Sequence, residues 1–96
     1  MEVEFHRLVR RDVLEILRYY QAVSTRIADE FRNELNAKII QAAETPLRFP
    51  AVDRGFRRAN LTRFPYHVLH ELRGDRLRVM IVRHHKRHPK FGLDRQ

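Results

Sequence analysis

The apolar residues of this chain change period once, near Thr45-Pro46, and that change limits the folds open to it. From Val9 to Ala43 they recur every three or four positions, the spacing of a helix face. Val13, Leu14, Ile16, Leu17 and Tyr20 predict a first helix over about Val9 to Ala22, with Arg10, Arg11, Glu15 and Arg18 between them. Ile27, Phe31, Leu35 and Ile39 step by four toward Ala43, which predicts a second helix with a narrow apolar stripe. Ser24 stands where an N-cap is needed, its hydroxyl available to an orphan N–H of the second helix. Pro46 ends that helix, because proline disfavours helical geometry in the residue before it. Two helices joined by a turn of two or three residues pack as an antiparallel hairpin.

The flanking segments read as strand. Met1 to Phe5 alternates Val3 and Phe5 with Glu2 and Glu4. Pro46 to Gly55, with Pro50 inside, is a loop. Phe56 to Leu61 and Tyr66 to Leu72 are strands around a Thr62 to Pro65 turn, and Arg73-Gly74-Asp75 is a tight hairpin turn. In the last strand, Arg76 to His84, alternation sets Leu77, Val79 and Ile81 on one face and Arg76, Arg78, Met80, Val82 and His84 on the other. One sheet face then packs on the helix hairpin, and the other is partly open to solvent. Lys86 to Gln96, broken by Pro89 and Gly92, reads as a polar tail. Ninety-six residues suit a single domain, 1–96, with the strand and helix hairpin in 1–44 and a basic sheet and tail in 45–96.

The charge follows the same division. The formal net charge is +8, yet residues 1–44 carry seven Lys/Arg against eight Asp/Glu, and residues 45–96 carry thirteen against four. Five of the six histidines (His67, His70, His84, His85 and His88) also lie in the second part. Arg accounts for seventeen of the twenty cations, and its flat fork pairs bidentately with phosphate or carboxylate. The absence of cysteine excludes disulfides, thiolate metal sites and thiol catalysis together. No apolar run approaches the roughly 18 residues of a membrane span, and the N-terminus has no signal-peptide core, so a cytoplasmic protein without a membrane partner is expected.

The run Val82-Arg-His-His-Lys-Arg-His-Pro89 is the densest local feature. His84 and His88 are four apart, but they leave a strand and run into Pro89, with no glutamate in a metalloprotease position, so no metal is expected. The run suits an anion better: Arg83, Lys86 and Arg87 supply charge while a histidine titrates near neutrality. Cleavage of RNA by its own 2′-hydroxyl needs a base, an acid and cations on the pentavalent phosphate. His67, His84, His85 and His88 are candidate proton movers, and Arg58, Arg63 and Arg87 candidate clamps. His67 and His70 point to opposite faces of their strand, so at least one is packed; Arg57 and Arg58 also alternate. Neither a glycine-rich phosphate loop nor a G-x-S-x-G element is present, and no cofactor is expected. Tyr19-Tyr20 and Phe64-Pro65-Tyr66 read as core and turn packing.

In its order of strand, helix hairpin, three strands and basic C-terminus, the chain resembles the RelE/ParE superfamily of bacterial toxin–antitoxin toxins. The carriers are Ile16-Leu-Arg-Tyr-Tyr20, the Phe31/Leu35 stripe, Thr45-Pro46 with Phe49-Pro50, Gly55-Phe-Arg-Arg58, Arg63-Phe-Pro-Tyr66 and His85-Lys-Arg-His-Pro89. The resemblance implies an α+β fold: a short N-terminal strand and an antiparallel helix hairpin packed on one face of a small, mostly antiparallel sheet. It implies a hetero-oligomer with a cognate antitoxin whose flexible, acidic segment wraps the toxin. Two targets follow from it, because RelE-like members cut mRNA on the ribosome and ParE-like members poison DNA gyrase. Arg58 and Arg87 match the nuclease set, whereas Asn60, His67 and Leu93 stand where a lysine, an arginine and a tyrosine are expected. If the chain is a nuclease, its catalytic residues are Arg58, His67, His85 and Arg87. Otherwise Arg57, Arg63, Arg78, Arg83, His84, Lys86 and His88 serve a phosphate, a target or the antitoxin. Gly55-Phe-Arg-Arg58 favours the ParE-like, gyrase-directed reading. The alternatives are a ribosome-dependent mRNA endonuclease and a non-toxic basic RNA-binding protein.

Overall fold

A computed structural model describes residues 1–96. Strand β1 (Glu2–Phe5) leads into helices α1 (Val9–Val23) and α2 (Thr25–Glu44), and strands β2 (Arg57–Asn60), β3 (Tyr66–Arg73) and β4 (Arg76–His84) follow. The strands form one sheet in the order β1-β4-β3-β2. β1 runs parallel to β4, from Glu2 opposite Arg76 to Phe5 opposite Val79, and the other two pairs are antiparallel. A parallel neighbour requires a crossover, which the helix hairpin supplies. The α+β expectation therefore holds.

The hairpin turn is tighter than expected. Ser24 alone separates the helices: its N–H donates to the Tyr20 carbonyl at 2.9 Å and its hydroxyl accepts from Ile27 N at 3.1 Å, so one residue closes α1 and caps α2. Ile16, Phe31, Leu35 and Ile39 meet Ala59, Val68, Leu77, Val79 and Val82 of the sheet to form the main core. Each such large side chain contributes about 1.5–3 kcal/mol by leaving water. Tyr20, Phe31, Phe64 and Tyr66 extend that core as an aromatic group with centroids between 5.1 and 6.1 Å apart. Tyr19 beside them is 66% exposed.

Two expectations are corrected. Leu69 pairs with Ile81 but His70 pairs with Val79, so Met80 is an extra residue in a β-bulge. The bulge reverses the alternation beyond it. Val82 joins Leu77 and Val79 under the helices, and Ile81 joins Met80 on the far face. Nor is the far face open or the tail merely polar. Phe91 and Leu93 fold back onto Phe56, Leu69, Met80 and Ile81 as a second, smaller core. Gly92 makes that return possible: its φ is +79°, and a Cβ there would lie 2.8 Å from the Ile81 side chain.

The tail is locked by an ion pair. β1 ends at Phe5 while β4 runs on to His84, leaving backbone groups on that edge of β4 without a strand partner. Asp12 Oδ2 accepts from Val82 N at 3.1 Å, and Arg95 Nη1 donates to the Met80 carbonyl at 2.9 Å. Arg95 also grips Asp12 with both terminal guanidinium nitrogens, Nη1 and Nη2, at 2.7 and 2.9 Å, the side chains being 8% and 5% exposed. A helix carboxylate and a tail guanidinium thus complete the sheet edge that β1 leaves short.

Candidate functional site

The far ends of β2, β3 and β4 bring three of the four nuclease candidates together. His67 on β3 is opposite Asn60 on β2 and Arg83 on β4, and His85 follows β4. Arg83 Nε donates to His67 Nε2 at 2.9 Å, and His67 Nδ1 lies 2.9 Å from His85 Nδ1 with the rings nearly parallel. Arg58 reaches His85 Nδ1 through Nη2 at 3.3 Å and is braced by Asn60 Oδ1, which accepts from its Nε at 2.8 Å.

These contacts fix the histidine protons. A guanidinium only donates, so His67 Nε2 is an acceptor. Burial, reinforced by the Arg58 and Arg83 charges, pushes His67 down to about 3, so the ring is neutral and carries its proton on Nδ1. That proton is donated to His85 Nδ1, which also accepts from Arg58. His85, also held below its ordinary value by burial and then by Arg58, must carry its own proton on Nε2. At neutral pH the exposed His85 therefore offers a donor, and His67 has both nitrogens engaged.

The fourth candidate lies elsewhere. Arg87 sits over the Phe91 ring, its guanidinium carbon 4.0 Å from the centroid, and lines a depression with Glu15, Tyr19, Tyr66 and His84. Arg58 lines a different one, with Asp53, Arg83 and Leu93. Among the remaining cations, several are held by the fold. Arg83 Nη1 donates to the Pro89 and Phe91 carbonyls at 2.9 and 2.8 Å, anchoring the tail. Arg78 pairs with Glu4 and donates to the Gln96 carbonyl. Arg63 pairs with Glu30 at 3.0 Å, while Glu34 accepts from the N–H groups of Thr62 and Arg63, tying the β2–β3 turn to α2. Arg57 donates to the Phe49 carbonyl at 2.7 Å on the helix side of the sheet. His84 and His88 each accept a backbone N–H two residues on, from Lys86 and Lys90, as turn caps. Both of the opposed strand histidines are buried: His67 on the far face, and His70 beneath Phe49 with neither ring nitrogen hydrogen-bonded.

Residues 3–89 match the family model described as ParE toxin of type II toxin-antitoxin system, parDE. The chain belongs to this family. A solved structure described as a chromosomal ParDE TA system from P. aeruginosa shares its fold, with a TM-score of 0.77 at 15% identity over 88% of this chain and 95% of that one. No curated protein matches the chain. In this ParE-family chain no group of three or more His, Asp or Glu side chains is arranged to hold a metal ion. No helix is long and apolar enough to cross a membrane.

Sequence reasoning missed Asp12 and Arg95, the pair that closes the tail of this ParE-family fold. A signal was present. Asp12 falls on the stripe of Val9 and Ile16, and a carboxylate on a buried helix stripe calls for a partner. The largest apolar cleft among the helices, about 420 Å³ between Phe5, Val9, Leu14, Leu35 and Ile39, was not foreseen either. It lies at the β1 end of the helices, lined by none of the residues of the histidine cluster.

Proposed function

We propose that this chain is a growth-inhibiting toxin of the cytoplasm that acts by binding DNA gyrase and is neutralised by a cognate antitoxin with an acidic, flexible segment. The family supports the toxin class. The observation that carries the choice of target is the closed proton inventory of the histidine cluster. His67 has no free nitrogen, and His85 shows solvent only an N–H, so neither can take a 2′-hydroxyl proton as they stand. The Arg87 guanidinium stacks on Phe91 and lines a depression that Arg58 does not share. A toxin that works by surface contact needs none of these groups to turn over.

The antitoxin is held in part by charge. No carboxylate lies within 4.0 Å of Arg58, Lys86 or Arg87, whereas Arg63, Arg76 and Arg78 are already paired. The uncompensated cations at the end of β4 offer an acidic segment a complementary surface that speeds encounter and selects the partner.

The test is induction without antitoxin. DNA-damage signalling and stalled replication are expected, with primer extension showing intact mRNA. The second reading, a ribosome-dependent endonuclease, is favoured by the closeness of Arg58, His67 and His85. Cuts within codons that disappear in Arg87→Ala would establish it and exclude the first.

A further inference from the structure

The apolar cleft at the β1 end of the helices plays no part in the proposed function. Its volume, about 420 Å³, is that of a small-molecule site, and its lining falls well short of the roughly 20–30 residues a side of a stable protein interface. Val9, Val13, Leu35 and Ile39 form the floor, and Phe5 and Leu14, 55% and 37% exposed, stand at the rim. The charge of the lining is one-sided: Arg7 and Arg10 contribute to it and no Asp or Glu does. Their neighbour Arg11 pairs with Glu15, whereas neither Arg7 nor Arg10 has an ion pair or a side-chain hydrogen bond in the fold. His6 adds a donor. Its Nδ1 accepts the Leu8 N–H at 3.1 Å, so the ring proton sits on Nε2. The residue is 6% exposed and lines the cleft, and its Nε2–H meets no acceptor in the fold. Burial, and then the charges of Arg78, Arg95 and Arg7, hold the ring below its ordinary value, so at neutral pH it is an uncharged donor.

We infer that this cleft binds a small amphiphilic carboxylate, a molecule with an apolar body and one anionic end. The body displaces water from the floor, and the carboxylate takes a guanidinium fork at the rim together with the His6 Nε2–H. Two carboxylate oxygens have enough lone pairs to accept from both, and a guanidinium pairs with them bidentately. A neutral apolar molecule leaves those donors without an acceptor, and a bare inorganic anion gains nothing from the floor, so the lining selects for both halves in one ligand. A straight-chain fatty acid and an aryl-alkanoic acid carry the same recognition chemistry. The site shares no residue with the histidine cluster and is independent of the gyrase reading.

The test is an NMR titration of the methyl resonances with decanoate, below its micelle concentration and at constant ionic strength. Saturable shifts at Val13, Leu14, Leu35 and Ile39 are expected, together with a shift of the His6 ring. Decanol should bind about tenfold more weakly, because it lacks the charge-assisted hydrogen bonds, and acetate should not bind. Phenylbutyrate in a parallel titration shows which body, straight-chain or aryl, the floor prefers. Arg10→Gln removes one fork and Leu14→Glu sets a carboxylate at the rim; each should weaken decanoate about tenfold. Both positions are exposed, and a thermal melt should show both variants folded. Shifts that stay linear, equal affinity for decanol, or binding unchanged in Leu14→Glu would overturn the site. A dimer in sedimentation that Leu14→Glu splits would give the cleft to a second copy of the chain. An acidic amphipathic peptide that shifts the same methyls and resists displacement by decanoate would give it to a protein partner. Either result overturns the inference, and neither bears on the supercoiling and mRNA readouts that test the proposed function.

Discussion

Replacing Arg95 by methionine removes the cation of a buried ion pair while keeping a similar apolar length, and the structure sets the size of the effect. Asp12 would remain 5% exposed with only the Val82 N–H at 3.1 Å as its partner, and the Met80 carbonyl would lose its donor at 2.9 Å. Leaving one partner of a buried pair uncompensated costs about 3–5 kcal/mol. A domain of this size is stable by roughly 5–15 kcal/mol in all. Arg95→Met should therefore bring the protein close to the unfolding threshold at room temperature, or at least release the tail. Asp12→Asn keeps an acceptor for Val82 but leaves the Arg95 guanidinium, 8% exposed, without its counter-charge, so it too should be destabilising. The double variant should cost less than the sum of the two, because no charge is then stranded. Urea unfolding followed by circular dichroism measures all three, and limited proteolysis reports whether Phe91 to Gln96 has come free. A loss below about 1 kcal/mol for Arg95→Met, or strict additivity in the double variant, would refute the view that this pair locks the tail to the sheet edge.

Three further outcomes follow from buried groups. His67 and His70 titrate at about 3 and about 4 in the fold, against 6.5 when unfolded, so the unfolded chain binds more protons and acid favours it. Their stabilisation is present above pH 6.5 and drains as pH falls, down to about 4 for His70 and about 3 for His67, by about 2 kcal/mol each between pH 7.5 and 5; equal urea midpoints at those two values would contradict this. His70→Phe should abolish its share of the acid loss and raise neutral stability by about 1 kcal/mol or more, since neither ring nitrogen has a partner. Gly92→Ala should cost about 1–3 kcal/mol and expose the tail to protease, because its positive φ and the 2.8 Å approach to Ile81 both resist a Cβ; a protease pattern identical to the parent would show that the tail docks without that glycine.

The helical half was legible because it depends on local rules. Of the four-residue steps from Ile27 to Ile39, Phe31, Leu35 and Ile39 are buried and Ile27 is half-buried at the edge of the core, and Ser24 capped where its hydroxyl could. The sheet was legible up to Val79 and misread beyond it. Val79-Met80-Ile81-Val82 is four apolar residues in a row, which alternation cannot assign to faces, and a single extra residue decides which of Ile81 and Val82 meets the helices. The tail was misread for a different reason. Phe91, Gly92, Leu93 and Arg95 carry no period of their own, and their meaning depends on Asp12 and Ile81, far off in sequence. At the site, the meeting of Arg58, His67 and His85 depends on register: Asn60 and Arg83 flank His67, and the chain turns after His84. Histidine content alone suggested groups that titrate near neutrality. Burial and neighbouring guanidinium charges drive His67 the other way, and no composition reveals that.

The most direct test of binding without catalysis is a DNA supercoiling assay with purified gyrase and this protein, run beside a ribosome-programmed mRNA in the same preparation. Loss of supercoiling with accumulation of cleaved DNA, and mRNA left intact, is the expected result. Undiminished supercoiling at saturating toxin, with the mRNA cut within codons, would contradict it.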